Sequence, residues 1–392
     1  MSDSRAIVGV VGAGTMGSGI AQVALEAGHE VVLHDVDEEA IERGRTRIRE
    51  GLVRRAAKLD LDADSIDDWV DGRMAGLRDA LTLDALGAEA EVILEAALEE
   101  LALKRTIFRT LDAAAPTETI LATNTSALSI AAIAEATDRP GRVIGLHFFN
   151  PAPLMPLVEV VSAPDTDATV ADRAAALVER WGKTAVRTAD TPGFIVNRVN
   201  RPFTLEALAL LADGAAGVEA IDAALRAEGF PMGPFELMDL VGIDVNLAAA
   251  RGVWEGLGRP ERLRPSRIQE RLANAGRLGR KTGTGFYRYE DGRRVSVAEE
   301  FAAGPGASRT LADAVIAERI LLAVVNEAWH ALGDAVATKG DIDLALRLGA
   351  GHPVGPFERT ERLGGASAVV AALESLAASG ERFLPAPSLG GD

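Results

Sequence analysis

A short β-branched run, Ile7–Val11, stops at Gly12 and leads straight into GAGTMGSGIAQVALEAG. Gly12-Ala-Gly14-Thr-Met-Gly17 is a G-x-G-x-x-G pattern, and its setting restricts the chain more than any other feature. It follows a strand and opens a helix, the context in which this pattern binds a dinucleotide. The first glycine permits the tight turn, the second lets the main chain approach a pyrophosphate, and the third allows close helix–strand packing. The helix N-terminus adds N–H groups and partial positive charge, so Gly12, Gly14, Thr15, Met16 and Gly17 are candidate cofactor contacts. Glu30–Asp35 reads as a second strand, with Asp35 at its end, 23 residues after Gly12. A carboxylate there accepts bonds from ribose hydroxyls and repels a 2′-phosphate. Val36 follows with no arginine beside it, so NAD is expected rather than NADP. A glycine-rich turn with a solvated aspartate is the competing reading.

Further apolar runs at Val92–Leu94, Ile120–Thr123, Val143–Leu146, Leu157–Val161 and Ala185–Thr188 alternate with helical stretches. This order predicts a mostly parallel sheet with helices on both faces, an α/β Rossmann-like domain over residues 1–189. Beyond ADTPGF the pattern turns almost wholly helical and repeats itself. IDAALRAEGFPMGPFELMDLVG from Ile221 matches IDLALRLGAGHPVGPFERTERLG from Ile342, and the GPFE segments begin at Gly233 and Gly355. LEALALL from Leu205 faces NEAWHAL from Asn326, and ERLRPS faces ERFLPA. Two repeated all-α domains are therefore predicted, 190–290 and 291–392, with the Gly-rich GRKTGTGFYRYEDG between them.

Composition removes several classes. Cysteine is absent, which excludes disulfide and thiolate chemistry and fits a reducing compartment, so a cytoplasmic enzyme is expected. The N-terminus shows no secretory signal pattern, and no uncharged apolar run reaches the roughly 18 residues of a spanning helix, so no membrane partner is expected. A net charge of −17 disfavours nucleic acid and means that an anionic substrate needs a local basic patch. No ligand cluster for a metal is visible.

His147 is one of five histidines and follows an apolar strand, where open α/β sheets place their ligand crevice. Glu159 lies 12 residues on, inside PLVEVV. A carboxylate there needs a partner, because a buried unpaired charge is costly. A His147–Glu159 pair satisfies both groups: the carboxylate fixes the tautomer, and the imidazole can take a hydroxyl proton near neutral pH. A satisfied core histidine beside an edge-strand glutamate fits the same spacing. Ser126, in NTSALSI, follows a strand and could bond the reacting oxygen, or could cap the helix starting at LSIAAIAE. Asn197, in TPGFIVNRV, falls in the first turns of the first long helix after the domain boundary.

GAGTMG, NTS, HFFNP, the glutamate of LVEVV, PGFIVNR and MGPFEL stand in the order and spacing typical of L-3-hydroxyacyl-CoA dehydrogenases. The chain resembles that family over residues 5–290, while residues 291–392 match only some relatives. The resemblance implies NAD-dependent oxidation of (S)-3-hydroxyacyl-CoA, with His147 as general base, Glu159 orienting it, and Ser126 and Asn197 on the reacting oxygen. It also places Asn124 and Asn150 near the nicotinamide and the catalytic histidine, and Glu99 and Lys104 at the cofactor ribose and phosphates. Single-copy relatives dimerise through the helical domain. The second copy is therefore expected to act as an intrachain pseudo-twofold partner, with a homodimer of the whole chain left open. At an offset of 121, Glu318 falls opposite Asn197 and Arg319 opposite Arg198, so the second copy lacks the substrate-facing asparagine.

IERGRTRIREGLVRRAAK, from Ile41, is basic inside an acidic chain. On one continuous helix Arg43, Arg47, Arg54 and Lys58 fall within roughly 60° of one another, opposite Ile41, Ile48, Leu52 and Leu59. Arg54 and Lys58 are candidate contacts for the CoA moiety of the acyl-CoA substrate. Lys58 matches a position that the family uses, whereas Gly51 stands where relatives often have a CoA-contacting serine. A solvated charged face is the plainer reading. The rival functions are a dehydrogenase of a free hydroxy or sugar acid, of the L-gulonate type, and a non-enzymatic NAD-binding protein. The C-terminal copy resembles that of enzymes handling short or dicarboxylic acyl-CoAs, such as 3-hydroxybutyryl-CoA or 3-hydroxyadipyl-CoA, while the acyl-chain preference itself is not legible.

Overall fold

Eight strands build one sheet: β1 (Ile7–Val11), β2 (Glu30–His34), β3 (Leu77–Asp79), β4 (Val92–Glu95), β5 (Ile120–Thr123), β6 (Val143–Phe148), β7 (Leu157–Ser162) and β8 (Thr184–Ala189). Their order is β3-β2-β1-β4-β5-β6-β7-β8, and every neighbouring pair is parallel except β6 with β7. The strand order reverses at β1, so the ligand crevice of such a sheet opens beyond the carboxyl ends of β1 and β4. This sheet lies in the first of two compact units, 1–190 and 191–392. The computed structural model describes residues 6–59, 61–302 and 311–390.

Aliphatic packing holds this unit together: Val8, Val10, Leu33 and Leu94 are fully buried beside Ile20 of α1 (Thr15–Glu26) and Ile48 and Leu52 of α2 (Glu38–Ala56). Asp37 starts α2 by accepting a bond from the Ala40 amide at 2.7 Å. Gly44 and Gly51 let α2 press on α1 and the glycine turn. A Cβ on Gly44 would stand 2.6 Å from that of Ala13, and one on Gly51 would stand 1.9 Å from Gln22 Oε1.

Several expectations need correction. β3 escapes the sequence pattern because only three residues, LRD, pair there. Helix α2 ends at Ala56, so Lys58 sits in the following turn and not on the helical stripe. Gly51 is buried against Gln22. The helix carrying Asn197 is not long. It is the four-residue Val196–Val199, which gives way at Asn200 to Arg201–Ala212, with Pro202 in its first turn.

The second unit is mostly helical. A hairpin of β9 (Tyr287–Glu290) and β10 (Arg293–Val297) crosses the expected 290/291 boundary. It ties residues 293–297 to the first repeat, since Arg294 bonds Glu236. Two buried aspartates organise this region. Asp222 accepts bonds from the Phe235 amide and the Tyr287 hydroxyl, and Asp239 accepts from the amides of Phe286 and Tyr287. Ion pairs between the repeats are reciprocal. Glu327 holds Arg198 and Arg262, while Glu206 holds Arg319 and Arg382. Arg198 aligns with Arg319 and Glu206 with Glu327, both 121 residues apart, so each repeat's glutamate binds two arginines of the other. Phe230 and His352, aligned through GFPMGPFE and GHPVGPFE, meet edge to face with ring centres 4.8 Å apart. Among the described residues no helix is long and apolar enough to cross a membrane.

Candidate active site

Gly12 has φ +96°, and a Cβ there would lie 2.7 Å from the Ala96 carbonyl oxygen. A Cβ on Gly17 would overlap the Gly12 carbonyl oxygen at 1.7 Å, so the turn and the first turn of α1 need both glycines. A Cβ on Gly14 would meet nothing within 4 Å. Gly14 is the helix N-cap without a side-chain cap bond, Gly14 and Thr15 are exposed, and Met16 is half-buried. The result is an open cradle at a helix N-terminus, which fits the pyrophosphate of NAD. Asp35 caps the cradle from β2: Oδ2 accepts the Ala13 amide at 2.6 Å and Oδ1 the Val36 amide at 2.7 Å. Its remaining lone pairs suffice for ribose hydroxyls. Sequence reasoning missed Arg47, whose Nη1 reaches across from α2 to the Ala13 carbonyl at 3.2 Å. The helical spacing placed Arg47 on the basic stripe and gave no sign of this contact.

The antiparallel pairing of β6 with β7 sets His147 directly opposite Glu159. Nδ1 of His147 lies 2.6 Å from Oε2 of Glu159, and both side chains are buried. Phe149 packs on the imidazole with ring centres 4.6 Å apart. A neutral imidazole bonded this way carries its proton on Nδ1, and the carboxylate stabilises the imidazolium that forms when Nε2 takes a second proton. Asn124, at the end of β5, accepts the Phe148 amide at 2.8 Å through Oδ1 and so buttresses the strand beside His147. Asn150 is exposed just past β6.

Ser126 is exposed on the loop after β5 and caps no helix; Ser129 caps Ile130–Ala134. Glu99 gathers this loop. Its Oε1 accepts the Thr125 hydroxyl at 2.7 Å, the Ser126 amide at 2.8 Å and the Ser126 hydroxyl at 3.2 Å. Burial pushes the Glu99 carboxyl up, but the Thr125 hydroxyl, the Lys104 ammonium and the Ser126 amide outweigh it and hold the group below the usual carboxylate range. Lys104 is the other residue expected near the cofactor. It is buried, bonding both oxygens of Glu95 at 2.7 and 2.9 Å and lying 3.4 Å from Glu99. Glu95, fully buried at the end of β4, was missed; VILEAA gave it the same buried-acid signal that singled out Glu159.

Of the basic stripe, Arg43 and Arg54 are paired with carboxylates, as are three arginines beside it. Arg43, Arg45, Arg49, Arg54 and Arg55 pair with Glu39, Asp79, Asp71, Glu50 and Glu26. Arg54 nonetheless stays exposed and lines an open groove between α2 and α3 (Ala63–Met74) together with Arg45 and Arg49. In the second unit Asn197 is half-buried, and its main-chain oxygen accepts two bonds from Arg201.

A dinucleotide cradle at the reversal of a parallel sheet, with a buried His–Glu pair on the same sheet, defines an NAD-dependent dehydrogenase. The NAD-binding domain of 3-hydroxyacyl-CoA dehydrogenase matches residues 7–191, and the C-terminal domain of 3-hydroxyacyl-CoA dehydrogenase matches residues 193–289 and 315–389. The chain belongs to the 3-hydroxyacyl-CoA dehydrogenase family, and NAD is its cofactor. It is 36% identical to the 3-hydroxyadipyl-CoA dehydrogenase of Escherichia coli K12, over 91% of this chain and 90% of that protein. It is 42% identical to a probable 3-hydroxybutyryl-CoA dehydrogenase of Bacillus subtilis, over 72% of this chain and 96% of that protein. The crystal structure of a 3-hydroxybutyryl-CoA dehydrogenase from Escherichia coli K12 superposes with a TM-score of 0.90 at 35% identity, covering 99% of this chain and 98% of that one.

Proposed function

We propose that the chain oxidises (S)-3-hydroxyacyl-CoA to 3-oxoacyl-CoA with His147 as general base. The observation that carries the assignment is the buried 2.6 Å contact between His147 Nδ1 and Glu159 Oε2. With Nδ1–H committed to Glu159, Nε2 takes the proton of the substrate's 3-hydroxyl group. NAD, when bound, accepts the hydride that leaves C3. Glu159 stabilises the imidazolium. Ser126 and Asn197 donate hydrogen bonds to the oxygen that turns from hydroxyl to carbonyl. Glu99 and Lys104 are read as contacts of the cofactor ribose and phosphate region, and Glu99 also gathers the loop that carries Ser126. Gly12, Gly14, Thr15, Met16, Gly17 and Asp35 hold the cofactor, with Asn124 and Asn150 flanking the histidine. In the reverse direction His147 returns its proton to the 3-oxo oxygen.

Arg54 and Lys58 are read as contacts for the CoA phosphates. Both are exposed, and the groove that Arg54 lines supports the reading for Arg54. The helical unit is read as two domains, the second beginning past the β9–β10 hairpin and serving as an intrachain pseudo-twofold partner of the first. The reciprocal pairs Glu327–Arg198 and Glu206–Arg319 support that reading. The test is NADH oxidation with acetoacetyl-CoA. Turnover that falls about 10²–10⁴-fold in His147→Gln, with NADH affinity kept, is the expected result. Turnover of L-gulonate but not of the thioester would favour the sugar-acid reading, and binding of NADH without any turnover the non-enzymatic one.

A further inference from the structure

Lys183 holds a loop by three of its main-chain oxygens. The loop, residues 149–156, joins β6 to β7 and so joins the strand of His147 to that of Glu159. It reads FNPAPLMP, and its prolines at 151, 153 and 156 offer no N–H groups. The amides of Leu154 and Met155 both turn back on the Pro151 carbonyl, each at 3.0 Å. The carbonyls of Ala152, Pro153 and Met155 converge instead on Nζ of Lys183, at 2.7, 3.1 and 2.9 Å. An ammonium carries three N–H donors, so the loop takes all of them. Lys183 stands just before β8, in the turn after the helix Ala168–Arg180, where Gly182 has φ +72°.

Two other lysines make ordinary ion pairs: Lys104 bonds Glu95, and Lys281 bonds Asp244. Half-buried Lys183 bonds main-chain oxygens only, among the described residues. The charges that act on it, Glu26 and Arg55, oppose each other and lie 3.5 Å apart. Bonds from a cation are roughly twice as strong as neutral ones, so the ammonium is what keeps three carbonyls turned to one point. The same loop is seated on α1. A Cβ on Gly19, two residues past Gly17 of the cradle, would stand 3.2 Å from that of Ala152 and 3.1 Å from Cδ of Pro153. Just ahead of these contacts come Phe149, whose ring packs on the imidazole of His147, and Asn150, read as flanking it. One cation therefore fixes the stretch of chain that runs from the histidine to the cofactor helix.

We infer that Lys183 is a positioning residue of the reaction: by gathering the carbonyls of Ala152, Pro153 and Met155 it sets Phe149 and Asn150 against His147. The inference rests on the reading of His147 as the general base. Lys183 touches neither the histidine nor Glu159 and acts only through the loop. Without its donors, three carbonyls lose their partners, and a main-chain oxygen that has lost a bond turns elsewhere to regain one. The loop then shifts, and the ring and amide beside the imidazole shift with it. The glycine turn at Gly12–Gly17 makes none of these bonds, so cofactor affinity stays while turnover falls.

The test follows kcat with acetoacetyl-CoA and NADH, and NADH affinity by fluorescence titration, on the full chain. Lys183→Met keeps most of the stem and removes the donors. Its kcat should fall about 10–100-fold, since a shift of about 1 Å can cost about 100-fold, with the Kd for NADH held within about 3-fold. Lys183→Ala should lose as much and recover, saturably, with added propylammonium, which replaces the missing end of the side chain. Tetramethylammonium has the charge without N–H groups and should restore nothing. A methionine variant at wild-type kcat overturns the inference, as does a variant that loses turnover and NADH affinity in equal proportion. So does an alanine variant that both ions restore alike, or that neither restores. A wild type without turnover of acetoacetyl-CoA refutes the proposed reaction instead, and this inference with it. Gly19→Ala covers the case in which the Lys183 variants do not fold. It crowds the same loop from α1, so kcat must fall several-fold with NADH affinity kept, and wild-type kcat there overturns the inference.

Discussion

Replacing His352 by phenylalanine should remove an acid sensitivity that the repeat contact builds into the chain. His352 is 5% exposed, its ring packs against Phe203 and Phe230, and its Nε2 lies 2.8 Å from Asn200 Oδ1. That bond requires a proton on Nε2 and suits the neutral ring. Burial, with a further push from the Arg359 guanidinium, lowers the group from 6.5 to about 3. A base whose folded value lies below its unfolded value gives stability that is complete above the unfolded value. That stability drains away as pH falls, because the unfolded chain binds a proton that the folded chain refuses. The window is therefore pH 6.5 down to about 3. The loss is about 1.4 kcal/mol per pH unit, so about 2–3 kcal/mol by pH 4.5, a substantial part of the roughly 5–15 kcal/mol available to a domain. Phenylalanine is the natural replacement, because Phe230 occupies the aligned position in the first repeat. Urea titrations of wild type and His352→Phe at pH 7.5 and pH 4.5 measure the effect. At pH 7.5 the variant should be less stable by about 1 kcal/mol, through the lost bond to Asn200. At pH 4.5 that deficit should vanish or reverse. A deficit of the same size at both pH values would refute the argument, because the histidine would then not be the group excluded from protonation.

Glu206→Gln and Glu327→Gln should each destabilise the chain, by about 3–5 kcal/mol as upper values, since each removes the carboxylate shared by two arginines; Arg198 keeps Asp334, so Glu327→Gln should cost the less of the two, and calorimetric melting that leaves either variant as stable as the wild type would contradict the reciprocal reading. Asp35→Ser should erode the preference for NADH over NADPH, measured as the ratio of kcat/KM values, with Arg47 already at the glycine turn to receive a 2′-phosphate. Charge reversal at Arg54 and Lys58 should raise KM for acetoacetyl-CoA more than for a thioester lacking the nucleotide, with a difference that shrinks as salt rises; equal effects on both would leave these residues as plain surface.

The parts of the fold legible in the sequence were those with a period or a fixed spacing. Strands β1, β2, β4–β8 and the glycine turn announced themselves through apolar runs and three glycines, of which Gly12 and Gly17 leave no room for a side chain. His147 and Glu159 could be paired in advance because a carboxylate inside an apolar strand demands a partner. What could not be read was contact at a distance. Lys104 was expected near the cofactor from the resemblance alone, and its burial on Glu95 was not legible, because the sequence records neither the depth of a helix nor which way its side chains turn. The basic run on α2 suggested one charged face, yet each of five arginines finds its own carboxylate, most of them on other elements. Gly51 seemed to mark a missing serine and instead marks close packing on Gln22.

Repetition within one chain separates the demands of packing from those of chemistry. The two helical copies share a backbone plan, so a residue kept in both answers to the fold, whereas a polar residue kept in one copy and apolar in the other answers to something else. Arg198 and Arg319 fall in the first class, and their carboxylate partners are duplicated with them. Arg201 and Leu322 fall in the second, although the two side chains are buried alike. A leucine gains stability at such a site by transfer from water, while a lone guanidinium loses it by desolvation, so drift toward stability alone would favour the leucine in both copies. That the cation persists only beside Asn197, in the copy that also keeps Asn246 and Gln269, requires a benefit outside folding.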